Sequence, residues 1–245
     1  MTPHGLDRIS VPFLASEFLD HPSLNGHHAL HVCWDDLIWA SMTVGKAQRD
    51  LMGFGKYSFA EMLHRVACLH AYYDINSSRR LVLSPAFRHL DSSEKGVVSF
   101  YTGMAMAKLY ADKVLGIPWM MHISRYEADW SVAYGGNTNR PDLFGCNGLG
   151  EWAVAEAKGR ARVSGQLVTR MQQQKSAVAS IQRVTPTYRY GSATRFEGRG
   201  ASAASGRPAT TAPWPGRAHR PGRLVARLLP ADCRPPGPEA VASRG

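Results

Sequence analysis

Cysteine is scarce in this chain, and no disulfide framework is written into it. Cys33, Cys68, Cys146 and Cys233 stand far apart with no CxxC pair. A disulfide-stapled scaffold is therefore not expected, and a reducing, cytoplasmic setting is. Long apolar runs are lacking too, since no stretch approaches the roughly eighteen consecutive apolar residues that a spanning helix needs. The start, MTPHGLDRIS, has neither a basic opening nor an apolar stretch behind it, which argues against a secretion signal. A membrane partner is not expected. Acidic residues are also in short supply, with 19 Asp and Glu against 29 Lys and Arg and a formal net charge of +10. An excess of that sign favours a polyanion, and nucleic acid is the commonest one.

The shortages are sharpest at the C-terminal end. Residues 198–245 contain no Lys, Asn, Ile, Tyr, Phe, Met or Gln, yet hold eight of the 15 prolines. Eight arginines against Asp232 and Glu239 place +6 of the net charge here, leaving only +4 for everything before it. So much proline and so few large apolar residues cannot nucleate a packed core, so 198–245 is expected to be a disordered tail. The absent residue types are mostly those with A/T-rich codons. The tail thus reads either as a GC-rich gene translated out of frame or as a genuine Arg-rich arm adding non-specific nucleic-acid affinity. Taken over the whole chain, the 44% hydrophobic and 20% charged content is that of a globular protein able to bury a sizeable core.

Residues 1–90 read as a mainly helical region. WDDLIWASMTVGKAQRDLM (34–52) and YSFAEMLHRVACLHAYYD (57–74) carry apolar residues at helical spacing, the latter opening with a Ser58–Glu61 capping-box pattern. RRLVLSPAF (79–87) is a short extended segment stopped by Pro85. Asp91 and Glu94 then form a second capping-box pattern, and the helix they start is predicted to run to Leu115, with Gly116 as its stop. IPWMMHISRY (117–126) reads as a buried strand, RPDLFG and EWAVAEAK as two strands joined by CNGLG, SGQLVTRMQQQKSAVASIQR (164–183) as a helix, and TYRYGSATRF (187–196) as a last strand. From 92 to 196 the expected order is αβββαβ.

The hairpin carries the chemistry. A turn near residue 148 sets Asp142 within two residues of the position opposite Val154, and so close to Glu156, while Glu156 and Lys158 share one strand face. Ala153, Ala155 and Ala157 take the other face, a surface suited to a closely packed helix. Two carboxylates with backbone carbonyls and water make an oxygen site for Mg2+. Such an ion polarises a phosphoryl oxygen and activates water, and a nearby lysine stabilises charge developing on the phosphate.

Pro141-Asp142 followed by Glu156-Ala157-Lys158 resembles the signature of the PD-(D/E)xK nuclease superfamily, whose restriction-endonuclease-like core is an αβββαβ unit. The resemblance covers about residues 92–196 and implies an α/β nuclease core at 91–197. It implies metal-dependent hydrolysis of phosphodiester bonds in DNA, with RNA not excluded. Asp142 and Glu156 would be metal ligands, the Ala157 carbonyl a third, Lys158 the catalytic lysine, and Glu94 an additional acid. The ion implied is Mg2+, with Mn2+ as a substitute, and a homodimer is compatible with the family. The alternative is the same fold without chemistry, a nucleic-acid-binding or protein-interaction module.

Other features are weaker. His27 and His31 would pair at i,i+4 on a helix, but no third ligand is in view. His122 reads as a histidine at the edge of the core. GFGKYS (53–58) lacks the phosphate-loop spacing. Arg160 and Arg162 are candidate phosphate contacts or plain solvated charges, and Gln166 and Gln172–Gln174 are candidate accessory polar residues. Trp34, Trp39, Tyr72 and Tyr73 fit helix packing better than base stacking.

Overall fold

The computed structural model describes residues 8–15, 18, 22–136, 139–159 and 165–195, which form a mixed α/β fold. The strands are β1 (Ile9–Ala15), β2 (Gly26–Val32), β3 (Tyr73–Ile75), β4 (Leu81–Leu83), β5 (Met121–His122), β6 (Val132–Tyr134), β7 (Leu143–Cys146), β8 (Trp152–Gly159), β9 (Val178–Ile181) and β10 (Tyr188–Thr194). The helices are α1 (Trp34–Thr43), α2 (Lys56–Tyr72), α3 (Pro85–His89), α4 (Ser92–Leu115), α5 (Ile123–Tyr126) and α6 (Gly165–Lys175). The expected tail at 198–245 lies outside the described residues, as do Arg160 and Arg162. No helix among the described residues is long and apolar enough to cross a membrane.

Local chemistry accounts for the limits of α4. Asp91 and Glu94 close the capping box, Glu94 accepting from the Asp91 amide at 2.9 Å, so orphan N–H groups of the first turn are satisfied. Gly116 at φ 68° supplies the left-handed residue that ends the helix. The sheet beneath has the order β10-β8-β7-β5. β5–β7 and β7–β8 are antiparallel, and β10 returns parallel to β8 after α6.

α4 lies between two cores. On one side Met104, Ala107 and Ala111 pack on Ala153, Ala155 and Ala157, joined by Met171 of α6. On the other side Val98, Ala105 and Leu109 meet Ile9, Val32, Leu37 and Leu69 from the N-terminal elements. The opposite sheet face, with Phe144, Trp152 and Val154, is covered by Tyr126 and Trp130 and by the β6–β9 pair through Val178 and Ile181.

Helix and strand approach most closely where Gly103 faces Lys158 and Gly159. A Cβ at Gly159 would fall inside the Ser99 carbonyl. Gly159→Ala is therefore expected to lose about 2–3 kcal/mol in urea unfolding. Gly96→Ala, at a helix position with open space around it, should gain up to about 1 kcal/mol.

Several expectations are corrected. The first ninety residues are not mainly helical throughout, because the β1–β2 hairpin and the β3–β4 pair lie among their helices. His27 and His31 sit in β2 opposite Leu14 and Ser10, so strand alternation rather than helical spacing relates them. α1 stops at Thr43, and the capping box expected at Ser58 is not formed. Gly55 caps α2, Ser58 accepts from the Phe54 amide instead, and Glu61 pairs with Lys46 and Arg65. The segment 117–126 gives only the two residues of β5 before turning into α5, and the helix expected over 164–183 ends at Lys175. The chain beyond it becomes β9, which is drawn out by pairing with β6. The expected αβββαβ order thus holds α5, β6 and β9 as extra elements.

Candidate active site

The Pro141 ring offers no N–H, which suits the first position before a strand that starts at Leu143. β7 then pairs Leu143 with Ala155, so Asp142 stands one step beyond, opposite Glu156. The geometry is tied down by the backbone. The Ala157 amide donates to Asp142 Oδ2 at 2.9 Å, and the Ile123 amide at the start of α5 donates to the Asp142 carbonyl at 3.1 Å. A strand residue projects its N–H and C=O toward the same neighbour. The Ala157 carbonyl is accordingly directed to the Asp142 side, where β7 pairing has ended.

Lys158 joins the two acids. Its Nζ is 3.4 Å from Asp142 Oδ2 and forms an ion pair with Glu156 Oε1. Asp142 and Lys158 are each 24% exposed, but the Glu156 side chain is wholly buried. Apart from this Lys158 ammonium, neither Glu156 oxygen has a hydrogen-bond donor among the described residues. A fully buried carboxylate held by one ammonium alone is costly, since its other lone pairs normally demand partners. Burial, followed by the charge of Asp142, pushes the Glu156 carboxyl up to about 7. Burial also works against the Lys158 ammonium, but its bond to Glu156 and the charge of Asp142 outweigh it and raise its pKa.

Asp142, Glu156, Lys158 and Ala157 are therefore brought together, as the sequence predicts. Glu94 is not. Its carboxylate is spent on the capping box, and α4 packs on the alanine face, across the sheet from the acids. A helix-capping role follows from the Asp91–Glu94 spacing itself, so Glu94 is corrected from catalytic acid to cap. Gln166 and Gln172–Gln174 belong to α6, which packs beside α4 on that same far face. His122 is a partly buried residue whose ring bonds the Asp142 backbone, and burial lowers its pKa. No group of three His, Cys, Asp or Glu residues able to hold a metal exists among the described residues.

Another charged cluster is less legible in sequence. Lys46, only 5% exposed, bonds Glu61 at 2.6 Å, and Arg65 bonds the same carboxylate at 2.7 Å while donating to the carbonyls of Ser41 and Val44. Next to Lys46, Gly45 exchanges backbone hydrogen bonds with Met120 and His122. Through these contacts α2 is tied to the Gly45 segment, which is hydrogen-bonded to Met120 and His122 at β5, the strand paired with β7. The Glu61–Arg65 spacing of four residues was a visible signal, but its link to Lys46 is non-local.

The remaining polar residues do not compete as a centre. His27 and His31 are exposed on β2, while Cys33, Cys68 and Cys146 form no disulfide among the described residues. Comparison with protein-family models, curated proteins and solved structures finds no match for this chain.

Proposed function

We propose that the protein is a metal-dependent nuclease of the restriction-endonuclease-like type, hydrolysing phosphodiester bonds in DNA in the cytoplasm, with Mg2+ or Mn2+ as its ion. The observation that carries this reading is the buried Glu156 carboxylate. Its only close donor is the Lys158 ammonium, which it shares with Asp142 standing opposite, and no other described group satisfies it. A hard divalent cation supplies what such a carboxylate lacks. The topology supports it as well, because α4 precedes three antiparallel strands and α6 leads to a strand parallel to the third.

Asp142, Glu156 and the Ala157 carbonyl would hold the ion. Bound there, it would polarise a phosphoryl oxygen and lower the pKa of a water. Lys158 donates to the non-bridging phosphate oxygens and offsets the negative charge that grows there during attack. Phe144 and Val154 on the same face, under Tyr126 and Trp130, keep the surroundings of Glu156 dry, which strengthens each of these electrostatic contacts.

Supercoiled plasmid incubated with the purified chain and Mg2+ tests the reading. Asp142→Asn and Lys158→Ala should each lower cleavage by roughly 10²–10³-fold or more. Absence of cleavage by the unaltered chain, or equal cleavage by all three proteins, rejects it. One observation favours the inactive, binding-only alternative: no third acid or histidine joins Asp142 and Glu156 among the described residues. Titration calorimetry separates the two readings, since a nuclease binds Mn2+ through Asp142 and Glu156 and a pure binder has no need to.

A further inference from the structure

Exposed aromatic rings stand beside α5, the helix that holds the Asp142 backbone. The turn before α2 and its first residues expose Phe54 by 65% and Tyr57 by 70%, far more than a packing role would require. Cations are interleaved with these rings. Lys56 Nζ lies 5.2 Å from the centroid of Tyr57, and the Arg125 guanidinium lies 5.8 Å from that of Phe54. No carboxylate among the described residues pairs with Lys56, and Arg125 keeps 42% of its side chain exposed although Asp50 stands 3.8 Å away.

Arg125 belongs to α5, whose first amide, Ile123 N, holds the Asp142 carbonyl at 3.1 Å. α2 is fixed by Lys46, which ties it through Glu61 to the Gly45 segment hydrogen-bonded to His122. Arg125 therefore stands on the helix that holds the Asp142 backbone, and Phe54 lies against Arg125.

Resting on the phosphodiester reading above, we propose that Phe54 and Tyr57 form a base-stacking lip, so that the substrate is single-stranded or locally unpaired nucleic acid. The two rings stack on unpaired bases, and Lys56 and Arg125 hold the adjoining phosphates. Base–aromatic stacking needs the flat face of a base to be free, which a continuous duplex does not offer, and cations beside the rings suit a strand whose every residue is anionic. A second copy of this chain fits less well, because burying Lys56 in a self-contact would strip water from a charge that has no acid to meet it.

Fluorescence anisotropy of the full chain in EDTA tests this without cleavage, using labelled oligothymidylate and a labelled blunt duplex of mixed sequence as probes. The single strand should bind more tightly than the duplex. Phe54→Ala combined with Tyr57→Ala should weaken single-strand binding about tenfold or more. Tyr57→Phe, which keeps the ring, should bind like the parent. Equal affinity for both probes, unchanged binding by the double variant, or weakened binding by Tyr57→Phe overturns the proposal. So does self-association in sedimentation that the double variant abolishes. Binding that follows the lip while plasmid remains uncut rejects the nuclease reading alone, and cleavage that is blind to the lip rejects only the lip.

Discussion

Glu156→Gln is expected to abolish cleavage and at the same time to make the protein more stable. Loss of activity follows from removing a charged ligand at the point where the ion would sit. The gain in stability follows from linkage. The carboxyl has an ordinary value of 4.5 and is raised to about 7 in the fold by burial and by Asp142. Between those values the folded protein keeps a proton that the unfolded chain has released, so stability falls as pH rises through this window. Below it both states are protonated and nothing is lost. Above about 7 the full penalty applies, on the order of 3 kcal/mol. Glutamine keeps the shape without the charge, and Asp142 remains as the counter-charge for Lys158. Urea unfolding should therefore show the variant ahead by about 3 kcal/mol at pH 8 and level with the parent near pH 4. Mg2+ should raise the melting temperature of the parent but not of the variant, since only a bound ligand stabilises by mass action. A variant less stable than the parent at pH 8 would mean that Glu156 is well satisfied as it stands, and the case for a cation there would fail.

A second large effect is expected at Lys108, inside α4. Its side chain is fully buried and its ammonium has no hydrogen-bond partner among the described residues. Burial drives its pKa from 10.5 down to about 8, only partly offset by Asp112 one turn along. Here the sign is opposite to that of Glu156. Between about 8 and 10.5 the unfolded chain binds the extra proton, so stability rises with pH through that window. Below 8 both states are charged, and the fold bears a cost of about 3 kcal/mol. Lys108→Met retains the apolar stem and discards the charge. Stability should increase by about 3 kcal/mol at pH 7, and the advantage should shrink toward zero by about pH 10.5. Unfolding curves at the two pH values decide it. A destabilised variant, or one whose advantage does not change with pH, would show that the ammonium is solvated after all.

What could be read in advance was local. The Asp91–Glu94 box and Gly116 mark both ends of α4 because capping is settled within a few residues of each terminus. Register in the 141–159 hairpin follows from one short turn, which is why Asp142, Glu156 and Lys158 were legible as neighbours. Alternation sent Ala153, Ala155 and Ala157 to the helix side for the same reason. Misreadings came where a distant partner overrode local preference. Val178–Ile181 follows a helical run and contains Ala179, yet pairing with β6 makes it a strand. His27–His31 can be given helical spacing on paper, but its pairing with Ser10–Leu14 fixes the period at two.

The sequence by itself determined the helix limits, the hairpin and the company of two acids and a lysine, because these depend on contacts within a few residues or across one turn. Only the tertiary structure decided which charges are stranded from water. Glu156 is buried because α5 and the β6–β9 pair cover its sheet face, and Glu94 is reduced to a cap because α4 packs on the other face. Phe54 meets a cation only because Arg125 arrives from a segment about seventy residues away in the chain. Burial and convergence are sums over distant elements, and no short window of sequence contains them.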